Sequence, residues 1–253
     1  METQAPMTTL SADDHQVADR GAWLAAHQAH LAREKAFTRE REAMAAARRD
    51  LPWLEITEPY VFDTADGETD LLGLFDIARR PEGPASQLIV YHFMYGPDWG
   101  DEGCPSCSFW ADNYDGTPIH LANRDTAFTA ISRASMEQIT GYRTRMGWEF
   151  PWVSSGRSTF NHDFGVSATP EQLEAGTASY NLETAAPMGP ESPGVSVFAR
   201  DGERVFLTYQ VFARGLDLFN GTYHLLDLTP KGRDEAVLPW SMAWLHRHDA
   251  YPA

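Results

Sequence analysis

The sequence predicts an α/β layered domain that carries a helical arm at its N-terminus. Three observations carry this. Ala22 to Asp50 contains neither Gly nor Pro and repeats apolar residues every seventh position. Leu88-Ile89-Val90-Tyr91-His92-Phe93-Met94 is a nearly continuous run of strand formers, as in a central parallel strand covered on both faces. Beyond it, strand-like and helical stretches alternate and end in a hairpin and a helix, the order of a sheet with helices packed on it.

The elements follow in order. Residues 1–10 read as a tail, and Ser11-Ala12-Asp13-Asp14 has the Ser-x-x-acid pattern of a helix start. In the arm, Val17, Leu24 and Leu31 keep one seven-residue register and Phe37, Met44 and Leu51 another, so the stretch is either two helices or one helix with a shifted apolar face. Its interleaved Arg and Glu residues fit a solvated face with local ion pairs. Pro52 ends the arm. Tyr60-Val61-Phe62 and Leu71 to Phe75 flank Asp66-Gly67 as a small hairpin, and Arg79 to Ser86 is a loop. After the apolar strand, Gly96, Pro97 and Gly100 break the chain, and Cys104 to about Tyr114 suits a helix. Ala127 to Ile131 is a second buried strand. Ser135-Met136-Glu137-Gln138 is a capping box, followed by Ile139, Tyr142 and Met146 on one helical face and Gly147 at the end. Trp152 to Ser154 is a short third strand, and residues 156–193 are loop-rich. Val195 to Ala199 and Val205 to Val211 flank Arg200-Asp201-Gly202-Glu203 as a hairpin, and Leu216 to Leu228 fits a last helix.

Composition narrows the function. The 253 residues are 43% hydrophobic, enough for a substantial core, and carry a net charge of −16. A polyanion is repelled by phosphate backbones and anionic lipid, so neither nucleic acid nor membrane is expected as a partner. No apolar run is long enough to span a bilayer, and Met1 to His15 has neither a basic start nor an apolar stretch of a signal peptide. Two cysteines are too few for a disulfide scaffold, which fits a reducing cytoplasm.

Those two cysteines carry the chemistry. Cys104-Pro105-Ser106-Cys107 follows the apolar strand and a glycine-containing loop and opens a helix. Unpaired N–H groups at a helix start favour a thiolate on Cys104, and two intervening residues let Cys107 reach it within one turn. Attack by Cys104 on a substrate disulfide would form a mixed disulfide that Cys107 resolves. Pro105 suits the first turn, where its missing N–H costs nothing. Asp98, Asp101 and Glu102 oppose the thiolate. Other readings also fit the pair: two of four zinc ligands, completed by His92, His120, His162 or carboxylates, or two inert buried thiols. Covalent haem attachment needs His after the second cysteine, where Ser108 stands.

Longer strings around this pair resemble a known group. Tyr91-His92-Phe93-Met94-Tyr95-Gly96-Pro97 and Gly103-Cys104-Pro105-Ser106-Cys107-Ser108-Phe109-Trp110-Ala111-Asp112 are similar to the thioredoxin-like family of predicted dithiol-disulfide oxidoreductases. So are Arg143 to Trp148, Pro151 to Ser155, Phe160 to Val166, Pro193 to Phe198 and Leu226 to Arg233. The resemblance runs from about residue 15 to the end. It implies a thioredoxin-like three-layer α/β/α sandwich over residues 55–253, with a C-terminal extension, preceded by a tail and helical arm over residues 1–54. It implies Cys104 as attacking and Cys107 as resolving thiol, and no bound metal or organic cofactor. It also places Pro193, just before a strand, where thioredoxins carry a cis-proline that lines the substrate site; an ordinary trans-proline ending a loop fits equally. Thioredoxins have Trp before the first cysteine; here Gly103 stands there, and the acidic insertion and the arm are additional.

Around the pair, Tyr95, Trp99, Phe109 and Trp110 form a candidate apolar platform, with Trp99 and Pro193 as the substrate-binding candidates. His92 is either a proton relay to Cys107 or a core histidine. His162 and Asp163 are a polar cluster near the site or loop hydrogen bonding, and Arg143 and Arg145, beside Trp148 and Trp152, are an anion site or a helix end. The function expected is thiol–disulfide exchange with a protein or small thiol substrate. The alternatives are a redox-sensing or partner-binding module without turnover, a thiol peroxidase in which Cys107 resolves a Cys104 sulfenic acid, and a metallochaperone.

Overall fold

The computed structural model describes residues 6–78 and 80–252. Residues 1–5 of the tail and Arg79, the first residue of the loop expected to Ser86, lie outside the described residues.

The arm is one helix, α1 (Arg20–Arg49), rather than two. The Asp19 carboxylate caps it by accepting from Ala22 N–H at 2.8 Å, whereas Ser11 caps only a single 3-10 turn at Ala12–Asp14. No α1 residue is buried: Leu31 is 45% and Phe37 62% exposed. The shift of register between those two residues is tolerated because no partner surface demands a continuous stripe. Contact with the body comes at the last turns, where the Arg48 guanidinium lies 5.3 Å over the Tyr209 ring.

The strands form one sheet, and its centre positions the site. β1 (Leu54–Ile56), the hairpin β2 (Val61–Thr64) and β3 (Gly67–Asp70), and β4 (Gln87–His92) precede the cysteines. Helices α2 (Pro105–Ala111) and α3 (Thr117–Ala122) lead to β5 (Thr126–Ser132), then α4 (Met136–Met146) to β6 (Trp152–Ser154). Short helices α5 (Phe160–Asp163) and α6 (Pro170–Glu174) interrupt the loop-rich stretch before the hairpin of β7 (Gly194–Asp201) and β8 (Arg204–Phe212), and α7 (Gly221–Leu226) closes the fold. The strand order is β1-β8-β7-β4-β5-β6-β2-β3. Within it β4 runs parallel to β5 and antiparallel to β7, which pairs antiparallel with β8. The order β5-β4-β7-β8, with α2 opening the crossover and a helix after β8, is the thioredoxin-like α/β arrangement.

Strand parity divides the core between the two faces of the sheet. Tyr91 and Phe93 join Cys107, Phe109, Trp110, Tyr142, Trp148 and Trp152 on one face, under α2 and α4. Leu88 and Val90 join Leu74, Phe75, Phe160 and Phe164 on the other, under a 3-10 turn and α5.

Local chemistry explains where the elements differ from expectation. Leu71 to Phe75 is not the second hairpin strand: the Asp70 carboxylate accepts from Gly73 N–H at 2.7 Å and turns the chain into a 3-10 segment, Gly73–Asp76. The last helix is broken, because buried Asn220 adopts an extended conformation and caps Tyr223 N–H at 3.0 Å, separating a 3-10 stretch from α7. The capping box at Ser135 and Gln138 forms as expected, and Gly147 closes α4 with φ of 66°. No helix among the described residues is long and apolar enough to cross a membrane.

Leu88, with no exposed surface at the centre of the sheet, and Leu31, on the free arm, set up a contrast. Leu88→Ala is expected to cost about 2–5 kcal/mol, and Leu31→Ser to stay within about 0.5 kcal/mol. Urea unfolding of the two variants checks this; a comparable loss for Leu31→Ser would mean that the arm is packed in solution.

Candidate active site

The site is built at the carboxyl end of β4. Beyond the strand, Phe93 N–H donates to Ile131 O at 3.0 Å, and the loop that follows folds back so that Cys104 N–H donates to Met94 O at 3.1 Å. Inside the loop, the Tyr95 hydroxyl donates to Gly100 O at 2.7 Å and the Gln138 amide to the same oxygen at 2.8 Å. Gly103 is required by close approach. A Cβ there would lie 2.6 Å from the Phe93 ring and 3.0 Å from that of Tyr142. A bulky residue before Cys104, as in thioredoxins, has no room here.

Cys104 is the N-cap of α2 and Pro105 its first residue. Cys107 N–H donates to Cys104 Sγ at 3.4 Å, and Met94 N–H to Cys107 Sγ at 3.5 Å. Both thiols are free; Cys104 is half-buried and Cys107 2% exposed. Their environments pull them apart. The Cys104 thiol is lowered to about 7, chiefly by the hydrogen bond from the Cys107 thiol. Burial opposes this, and the N–H groups of Cys107 and Ser106 and the charge of Arg247 reinforce it. Burial, together with the shared proton, pushes the Cys107 thiol well up. Beneath it the Tyr91 hydroxyl donates to Cys107 O at 3.2 Å, and burial keeps that phenol protonated.

The acidic lead-in is partly neutralised within the molecule. Glu102 pairs with Arg145 at 2.5 Å and with Arg247 at 3.0 Å, while Asp98 and Asp101 are exposed. Arg247 also donates from Nη2 to Gly103 O at 2.7 Å and from Nε to the Tyr142 hydroxyl at 2.9 Å. That hydroxyl lies 2.7 Å from Ser108 Oγ, which donates to Cys104 O at 2.8 Å.

The other residues singled out in the sequence divide. Pro193 lies at the same end of the sheet as the cysteines, since its neighbour Gly194 pairs with His92. No cis peptide bond occurs among the described residues, so of the two readings left open for Pro193 the trans one holds. The segment already runs extended into β7 from a bridge between Ser167 and Glu191, and the Pro193 carbonyl accepts from the Tyr180 hydroxyl at 2.6 Å. Half-buried Trp99 lies over Gly96, where an added Cβ would meet its indole at 2.9 Å.

Tyr95, Phe109 and Trp110 are buried core residues, so no four-residue surface platform forms. His92 is no relay. It points to the sheet face opposite Cys107, its Nε2 2.7 Å from Ser196 Oγ and its ring 5.8 Å from that of Phe160. Burial lowers its pKa to about 3. Asp163 accepts from the hydroxyls of Tyr60 and Thr159, and His162 Nδ1 lies 3.2 Å from Ser167 O, so both serve structural hydrogen bonds. Arg143 donates to the carbonyls of Trp148 and Glu149, and Arg145 pairs with Glu102 and Asp249; neither stands open as an anion site. Among the described residues no three His, Cys, Asp or Glu side chains gather as a metal site.

Sequence reasoning missed Tyr91, Ser108, Tyr142, Tyr180 and Arg247. Strand parity alone could have found Tyr91, one residue from His92 and therefore on the cysteine face. Nothing local marks Arg247, which stands 144 positions from Gly103.

Two outcomes follow. Cys104 gains thiolate as pH rises through about 7, whereas Cys107 stays protonated, so iodoacetamide should label Cys104 alone with a midpoint near 7; peptide mass spectrometry across pH 5–9 measures it, and equal labelling of both thiols would contradict the asymmetry. The unfolded chain protonates His92 near pH 6.5 but the folded chain only near 3, so its share of stability is lost as pH falls below about 6.5. The loss between about pH 7 and 5.5 should be about 1 kcal/mol and absent from His92→Gln, as read from denaturant melts at the two pH values.

No curated protein sequence matches the chain. Among solved structures, it is similar to the peroxidoxin BcpB of Mycobacterium tuberculosis, with 12% identity and a TM-score of 0.44, over 68% of this chain and 95% of that one. A cysteine-to-serine mutant of peroxiredoxin Q from Xanthomonas campestris shares 14% identity with a TM-score of 0.42, over 72% and 93% of the two chains. Residues 12–251 match the family described as bacterial protein of unknown function (DUF899), and with nearly its whole length inside that match the chain belongs to this family.

Proposed function

We propose that this protein is a thiol–disulfide oxidoreductase in which Cys104 attacks and Cys107 resolves. The observation that carries this reading is the opposed pair of thiols. Cys104 is half-buried and acidified, and Cys107, one helical turn on, is fully buried and held protonated.

The steps balance on these two side chains. Cys104 thiolate attacks one sulfur of a substrate disulfide R–S–S–R′; a Cys104–S–S–R bond forms, the S–S bond breaks, and R′S⁻ leaves and takes a proton from solvent. Cys107 Sγ then attacks Cys104 Sγ, closing the Cys104–Cys107 bridge, while its proton goes to the departing RS⁻. The substrate gains two electrons and the protein loses two; an external dithiol returns them. In the resting state the hydrogen bond from Cys107 steadies the attacking thiolate. Once Cys104 is in the mixed disulfide that charge is gone and Cys107 is released from sharing it, which favours the second attack. Trp99 and Pro193, on the loop and strand end beside the pair, are the surfaces we assign to the substrate. No step calls for a metal or organic cofactor.

A redox-sensing module without turnover uses the same bridge, and the experiment that tests the proposal separates the two. Wild type should accelerate reduction of a fluorescent disulfide peptide by dithiothreitol. Cys104→Ser should fall to the uncatalysed rate, and Cys107→Ser should accumulate a mixed disulfide visible in intact mass. Wild type no faster than Cys104→Ser would end the enzyme reading; a bridge that forms without turnover would leave the sensor.

A further inference from the structure

The C-terminal segment crosses the helix layer as a strap. Leu245 is 9% exposed and lies in the core, and Trp244 packs on Phe109 with ring centres 5.5 Å apart. Beyond them, His248 Nδ1 lies 2.7 Å from Asp112, at the end of α2, and Asp249 pairs with Arg145, near the end of α4, at 2.7 Å. Between these anchors sits Arg247, its side chain 16% exposed. All three guanidinium nitrogens are committed around the residue before the attacking thiol: Nη2 to the Gly103 carbonyl, Nε to the Tyr142 hydroxyl and Nη1 to Glu102. The hydroxyls of Tyr142 and Ser108 carry the contact on to the carbonyl of Cys104 itself.

We propose that the C-terminal strap, through Arg247, is the positioning element of this site: it fixes the Gly103–Cys104 backbone and offsets Glu102, so that Cys104 is reactive at neutral pH. The proposal rests on the reading of Cys104 as the attacking thiol. An arginine suits the task because its charge persists throughout the working pH range and its planar fork can hold a carbonyl, a hydroxyl and a carboxylate at fixed angles. The charged and titratable groups that act on Cys104 are Cys107 from α2, Tyr91 from β4 and Arg247 from the strap; Tyr142 from α4 and Glu102 from the loop touch Arg247, Arg145 from α4 pairs with Glu102, and Asp98 and Asp101 of the same loop are exposed. Among these Glu102 is the anion that Arg247 touches, so the two residues should act on the thiol with opposite sign.

That opposition is the test. Iodoacetamide labelling of Cys104 across pH 5–9 is compared in the full chain and in Arg247→Gln, Arg247→Lys and Glu102→Gln, alongside dithiothreitol-driven disulfide reduction. Arg247→Gln should move the midpoint up by at least about half a unit and lower turnover at pH 7 several-fold. Arg247→Lys should restore the midpoint by restoring the charge, while turnover stays reduced for want of the fork. Glu102→Gln should move the midpoint down, a result that damage to packing would not give and that does not depend on how well Arg247→Gln folds. A midpoint unchanged in both Arg247→Gln and Glu102→Gln would overturn the proposal. Labelling needs no substrate, so it tests the strap even if wild type proves no faster than Cys104→Ser and the oxidoreductase reading falls.

Discussion

Met94 ties both cysteines to the sheet. Its carbonyl accepts the Cys104 N–H and its own N–H donates to Cys107 Sγ. It can do so because β4 is the buried centre of the fold, hydrogen-bonded to β5 on one side and β7 on the other. The loop between is held at Tyr95 and Gly100 and passes under Phe93 and Tyr142 at Gly103. A rigid strand end, an anchored loop and the first turn of α2 together fix two thiols that sequence distance alone leaves free to point anywhere.

Their difference is then a matter of surroundings. Two identical side chains start from the same intrinsic acidity. One receives two N–H groups, a thiol proton and the charge of a guanidinium; the other, with the Met94 N–H and a neutral phenol beside it, is walled in by apolar rings, and burial prevails. The low-dielectric face that holds Cys107 protonated is the same aromatic layer of Tyr91, Phe109 and Trp110 that holds α2 on the sheet. Packing and reactivity therefore share residues, and a change made for one is felt by the other.

Much of this was legible in the sequence, for reasons that differ by element. β4 showed itself as a nearly continuous apolar run, α4 by its capping box and terminal glycine, and the cysteine turn by spacing and by Pro105. These signals are local and their physics is local. The face of His92 was also available, since alternation along β4 sets it opposite Tyr91 and hence away from Cys107; the residue type drew attention that parity should have corrected. What stayed hidden needed contacts between distant segments. Arg247 reaches the loop only because the strap crosses α2 and α4, and Pro193 is held by the hydroxyl of Tyr180, a residue of the preceding loop. The break at Asn220 depends on a single buried side chain finding its own backbone, which apolar spacing cannot register.

The arm has a consequence of another kind. Between Arg20 and Arg49 basic residues outnumber acidic ones seven to three, yet the whole chain carries −16. A helix of this length extends roughly 45 Å, and its excess positive charge is spread along a rod that meets the strongly negative body only at its last turns. Centre of positive and centre of negative charge are thereby separated, and the molecule is an electric dipole as well as an anion. Its orientation, and not only its drift, responds to a field: near a negatively charged surface it turns arm first, although by net charge it is repelled.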